Sequence, residues 1–138
     1  MQSINVIVIE DNASDAELVR RALVSCGVKP KTHVLASVAE ALHFFNHDYV
    51  AQRLADLVVV DLNLGDGYGE ELLPMIRERI PALAQIVVLT GSFERAGMER
   101  CYQLGASSCF VKPVRSDELS AIFQNVVRTV PRSTPTPP

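Results

Sequence analysis

Apolar residues come in short runs along this chain, and the runs alternate between two kinds. Ile4–Ile9, Leu57–Val60 and Ile86–Leu89 are nearly unbroken apolar stretches rich in valine and isoleucine. Runs of that length, bounded by polar residues and glycine, predict strands buried on both faces, as in a parallel sheet. Thr32–Ala36 and Ser108–Val111 read as weaker strands of the same kind. Between the strands the apolar positions recur at helical spacing. Leu18, Val19, Ala22, Leu23 and Cys26 form one such stripe, opened by Asn12 or Ser14 as a cap and closed by Gly27. Ser37 and Glu40 make a capping box ahead of Ala41, Leu42 and Phe45. A third helix carries Leu72, Leu73, Ile76 and Ile80, and Pro74 should kink it unless it lies in the first turn. A fourth runs through Met98, Cys101 and Tyr102 to Gly105. The last presents Leu119, Ile122, Phe123, Val126 and Val127 on one face. Gly65-Asp66-Gly67-Tyr68-Gly69 reads as a loop.

Five strands alternating with helices predict an α/β fold, a doubly wound parallel sheet with helices on both faces. The chain of 138 residues suits one domain, and 48% hydrophobic residues suffice for a core. That domain is expected over 1–129, with the proline-rich stretch 130–138 as a disordered tail. A net charge of −3 argues against nucleic acid or an anionic membrane surface as partner. No apolar run reaches a membrane span, and no basic segment precedes an apolar one as in a signal peptide. Cys26, Cys101 and Cys109 leave one thiol over in any pairing scheme and show no metal spacing. Reduced thiols in a cytoplasmic protein are the expectation.

In a parallel sheet every strand ends on one edge, where open α/β folds place their chemistry. Glu10 and Asp11 follow the first strand and Asp61 the third, with Asn63 two residues on. Thr90 ends the fourth strand and Lys112 follows the fifth. Three carboxylates, a hydroxyl and an ammonium therefore share one rim. Like charges ~4 Å apart cost on the order of 4 kcal/mol at an effective dielectric near 20. Lys112 offsets part of that, and a hard divalent cation such as Mg2+ would offset more. The set reads as a place to handle a phosphoryl group. Asp61 is the nucleophile, and Thr90 and Lys112 bind the phosphoryl oxygens.

On these residues the chain resembles a response-regulator receiver domain, the phosphoacceptor part of two-component signalling. The resemblance is carried by Ile9-Glu10-Asp11-Asn12, Val60-Asp61-Leu62-Asn63-Leu64, Leu89-Thr90-Gly91, Leu104-Gly105-Ala106 and Val111-Lys112-Pro113. It implies a flavodoxin-like five-stranded sheet of order 2-1-3-4-5 and phosphorylation of Asp61 by a histidine kinase or phosphotransfer protein. Glu10, Asp11, Asp61 and the backbone carbonyl of Asn63 would hold Mg2+. Thr90 and Phe110 would be the switch pair, and the bond before Pro113 would be cis. Asn63 and Ser92 would flank the path of attacking water. Signalling would run through a downstream protein docked on the fourth helix, fifth strand and fifth helix, and a homodimer is allowed. The only chemistry implied is Mg2+-dependent self-phosphorylation and self-dephosphorylation at Asp61. Glu10-Asp11-Asn12-Ala13-Ser14-Asp15 and Cys101-Tyr102-Gln103-Leu104-Gly105 look most like the stand-alone regulators that serve phytochrome-type and hybrid kinases.

Two other function classes compete. A receiver fold can act as a docking or dimerisation module irrespective of phosphate, against which the intact acidic pair, Thr90 and Lys112 argue. A phosphatase with an aspartyl-phosphate intermediate needs a second carboxylate two residues after the nucleophile, and Asn63 stands there. The glycines at 65, 67 and 69 do not complete a dinucleotide loop, since Glu70 and Leu72 occupy the positions a third glycine would need. His43 and His47 have metal-binding spacing but no third ligand in the sequence, and read as helix-surface residues. Cys101 and Cys109 read as packing residues.

Overall fold

The fold is that of a computed structural model, which describes residues 2–49, 54–91, 95–112 and 115–130. In chain order the elements are β1 (Ser3–Ile9), α1 (Ala13–Ser25), β2 (Lys29–Leu35), α2 (Val38–His43) with a π-helical turn (Phe44–Asp48), and β3 (Leu57–Val60). They continue with β4 (Asn63–Leu64), β5 (Gly67–Tyr68), a 3-10 turn (Gly69–Leu72), α3 (Leu73–Arg79), β6 (Gln85–Thr90), α4 (Arg95–Gln103), β7 (Ser108–Val111) and α5 (Ser116–Thr129). The main sheet is parallel, in the order β2-β1-β3-β6-β7. Counting its own strands alone, that is the flavodoxin-like order 2-1-3-4-5.

Strand alternation sorts the core into two layers. Ile7, Ile9, Val58, Val60, Ile86 and Val88 face α2, α3 and α4, where Ala41, Leu73, Ile76 and Cys101 meet them. Ile4, Val6, Val8, Val59, Val87 and Leu89 face α1 and α5, where Val19, Leu23, Leu119, Phe123 and Val126 close the other layer. Every residue of β3 is buried, which is why its apolar run is continuous.

The elements differ from expectation in several places. β2 is longer than Thr32–Ala36, because it pairs with β1 from Ser3↔Lys29 to Ile9↔Leu35. It is an edge strand, so its lysines and Pro30 are tolerated and its apolar pattern is diluted. The glycine-rich stretch is not wholly loop. Asn63–Leu64 and Gly67–Tyr68 pair antiparallel about a Gly65-Asp66 turn. The Asp66 carboxylate accepts the backbone N–H groups of Val38 (2.8 Å) and Ala39 (3.0 Å), pinning this hairpin to α2. Pro74 lies in the first turn of α3, where its missing N–H costs nothing. Asn12, not Ser14, caps α1, its side chain accepting from the Asp15 N–H. Leu18 is 39% exposed, outside the buried stripe, and Ala16 takes a place in it instead.

Val130, assigned to the tail by sequence, packs in the α1–α5 layer. Residues 131–138, Ser92, Pro113 and the cis bond before Pro113 lie outside the described residues. Among the described residues no helix is long and apolar enough to cross a membrane.

Candidate functional site

Backbone hydrogen bonds at the strand ends set the rim. The Asp61 N–H donates to the Ile9 carbonyl (2.9 Å), the Glu10 N–H to Leu35 (3.0 Å) and the Lys112 N–H to Thr90 (2.6 Å). Asp61, Glu10 and Lys112 therefore each leave the sheet one step beyond a paired position, while Thr90 is the last paired residue of β6. Asp61 is 7% exposed, Glu10 5% and Thr90 1%, while Asp11 is exposed.

The Lys112 ammonium is the hub. It donates to Glu10, to Asp15 (3.0 Å) and to Asp61 (3.3 Å). Burial opposes its charge, but its hydrogen bonds to Glu10 and Asp15 and the nearby carboxylates win and hold it above the ordinary lysine range. Glu10 is pushed up to about 7, first by burial and then by its hydrogen bond and repulsion with Asp61, against the pull of Lys112. On the other side, the Asn63 backbone N–H donates to Asp61 Oδ1 (3.0 Å), and the Asn63 amide donates to Thr90 Oγ1 (3.2 Å).

One carboxylate oxygen each from Glu10, Asp11 and Asp61 lies within 4.8 Å of the others. Hard anionic oxygens at that spacing, with Asp11 open to solvent, fit a divalent cation that keeps part of its water. His43 and His47 are both exposed, with ring centroids 4.8 Å apart. Among the described residues they belong to no cluster of three converging ligands. Cys101 and Cys109 are buried free thiols, and burial pushes Cys109 up to about 12, so both act as packing groups.

Glu10, Asp11, Asp61, Asn63, Thr90 and Lys112 thus come together, but Phe110 does not join them. It pairs with Leu89 across β6–β7 and packs in the α1–α5 layer. Thr90, two residues on from Val88, points to the opposite layer. The residues of β7 on Thr90's side are Val111, opposite Thr90 itself, and Cys109, opposite Val88; the Cys109 N–H donates to the Tyr102 phenol oxygen (3.3 Å). The pairing of Thr90 with Phe110 is therefore corrected: strand parity puts the aromatic ring on the wrong face of the sheet.

Asp15 is the site residue that the sequence reading missed. It ends no strand, yet it stands one helical turn after Asp11, in the first turn of α1, on the face that looks at Lys112. Beside the lysine a cavity of about 410 Å³ opens between α1 and the sheet, lined in part by Val8, Leu18, Val59, Leu89 and Leu119.

Gly69 explains the hairpin's close approach to Asp61. A Cβ there would stand 2.6 Å from the Asp61 carbonyl oxygen and 3.3 Å from Leu62 Cα. Both are backbone atoms that cannot swing aside. Gly69→Ala should cost about 1–2 kcal/mol, as overpacking does, and a chemical melt monitored by circular dichroism should read it. A melt unchanged from wild type would show that the hairpin accommodates the methyl.

The family model of the response regulator receiver domain matches residues 6–124. A probable methanogenesis regulatory protein, FilR2 of Methanothrix harundinacea, is 28% identical over 124 residues, covering 88% of this chain and 79% of the relative. Other curated relatives are longer, and the chain spans 25% of one and 60% of another. Among solved structures, a response regulator from Burkholderia pseudomallei with a phosphorylated aspartic acid, calcium ion and citrate is 27% identical. Its TM-score is 0.71, over 91% of this chain and 69% of that one. The phosphorylated cyanobacterial phytochrome response regulator RcpA shares the fold at 23% identity, with a TM-score of 0.75 over 93% of this chain and 94% of that one.

Proposed function

The chain belongs to the response regulator receiver domain family of two-component signalling, and from that premise we propose that it accepts a phosphoryl group on Asp61. The observation that carries this reading is the convergence on Asp61 of the Glu10–Asp11 pair on one side and Lys112 and Thr90 on the other. A carboxylate oxygen of Asp61 forms the new bond to phosphorus as the bond from phosphorus to the donor breaks. The donor is a phosphohistidine of a kinase or phosphotransfer protein, and its nitrogen leaves with the electron pair. Glu10, Asp11, Asp61 and the Asn63 carbonyl would hold Mg2+, which would supply positive charge to offset that of the phosphoryl group. Lys112 and the Thr90 hydroxyl bind the remaining oxygens.

Thr90 faces the layer that contains α4, so a change at its hydroxyl reaches α4 and β7 first. The surface of α4, β7 and α5, where Tyr102 and Val111 are exposed, is the proposed docking face for a downstream protein. Output is a population shift between two states of one fold. Asn63 gives no second carboxylate, so turnover of phosphate esters is not part of the reading. The three free thiols and ordinary charge balance suit a cytoplasmic setting. Incubation with acetyl phosphate and Mg2+ should add the mass of one phosphoryl group, removable by hydroxylamine. Wild-type protein that gains no such mass under those conditions sinks the reading.

A further inference from the structure

Lys112 carries three ammonium hydrogens, and three carboxylates take them. Two of those carboxylates, Glu10 and Asp61, also belong to the cation cluster. Asp15 does not, because the converging set consists of Glu10, Asp11 and Asp61 alone. Glu10 and Asp61 would be shared between Lys112 and a cation held by that cluster, whereas Asp15 would remain a partner of Lys112 alone. A cavity of about 410 Å³ lies along the α1 side of the lysine, with Asp15 and Leu18 on the wall. Asp15 itself is firmly placed. It sits in the first turn of α1, and its N–H is held by the Asn12 side chain at 3.1 Å.

We propose that Asp15 is a positioning residue that tethers Lys112 to α1 and shares its ammonium with the phosphoryl group on Asp61. The proposal rests on Asp61 as phosphoacceptor, and it names a control on that site. With the phosphoryl group in place, Lys112 donates one hydrogen to it and one to Asp15. The Asp15 charge weakens the pull of the lysine on the phosphoryl oxygens, so this site holds a phosphoryl group less tightly than the same site would with a neutral residue at 15. Asparagine keeps the size and one acceptor oxygen and removes only the charge, so Asp15→Asn separates tethering from shape.

Two measurements test this. The chain has three lysines, Lys29, Lys31 and Lys112, and the first two are exposed on β2. In the metal-free protein, brief reductive methylation should modify Lys112 severalfold faster in Asp15→Asn, relative to Lys29 and Lys31 as internal standards. With Mg2+ present, beryllofluoride, a phosphoryl mimic, should bind Asp15→Asn severalfold more tightly than wild type. The gain should vanish in a Lys112→Met background. An unchanged methylation ratio overturns the tether, and so does beryllofluoride binding that is unchanged or weaker in Asp15→Asn. If wild type binds no beryllofluoride at all, the phosphoacceptor reading fails, while the methylation ratio still decides whether Asp15 holds Lys112.

Discussion

Asp61→Asn should take up no phosphoryl group from acetyl phosphate and Mg2+, while melting at the same temperature as wild type or higher. An amide oxygen is a poor nucleophile for phosphorus, and no other group in the site can replace the carboxylate. Glu10 is engaged by Lys112, Asp11 is exposed at the outer side of the cluster, and Thr90 Oγ1 accepts the Asn63 amide. The loss is therefore complete rather than partial. Stability moves the other way, because the substitution removes one of three carboxylates whose oxygens crowd within 4.8 Å. Like charges at such distances repel by a few kcal/mol, partly offset here by Lys112. Lys112 keeps Glu10 and Asp15 as partners in the variant, so it is not left buried and unpaired. Intact-mass spectrometry reads the first outcome and a thermal melt the second. A variant that still gains one phosphoryl group would place the acceptor on another residue, with Asp11 the next to test.

The contrast between Phe110 and Asp15 shows how far such a site is legible in a chain. Its frame is legible because each member sits at the end of an apolar run, and runs such as Leu57–Val60 announce buried parallel strands. Strand ends on one edge must meet, so the pattern alone brings Glu10, Asp61, Thr90 and Lys112 together. Phe110 fails for a reason of the same physics. Which face a strand residue takes depends on register with its neighbour, and Leu89↔Phe110 is set by pairing rather than by composition. Phe110 is the large aromatic next to Val111-Lys112, while the smaller Cys109 holds the face that Thr90 shares. Asp15 escapes the strand-end pattern because it lies inside the first turn of α1 and not at the end of an apolar run. Its reach to Lys112 spans 97 positions and depends on how α1 lies over the sheet. The two-residue strands of the hairpin carry too few positions to show any period. The π-helical turn at Phe44–Asp48, marked by the Tyr49 N–H bonding to the Phe44 carbonyl at 2.8 Å, leaves no trace in residue type.

In the metal-free protein, stability should fall as pH rises from about 5 to about 7, and Glu10→Gln should remove that fall. Glu10 is raised from an ordinary 4.5 to about 7 by burial and by Asp61. Between those values the unfolded chain has lost the proton and the folded chain still holds it. The native state binds more protons there, so unfolding becomes easier with each step up in pH. Above about 7 both states are ionised and the full cost, on the order of 3 kcal/mol, remains. Lys112 is raised as well, so its contribution is present throughout this window and is lost only in strong base. Gln keeps the length of Glu10 without a titrating proton, which makes the difference between the two melts at each pH the quantity to follow. A divalent cation at the cluster would take the place of the proton, so saturating Mg2+ should flatten the wild-type curve and stabilise it most at the high end of the window. Parallel curves for wild type and Glu10→Gln would show that Glu10 is already ionised at pH 5. In that case Lys112 alone outweighs the burial and the repulsion from Asp61, and the acidic cluster is charged before any cation arrives.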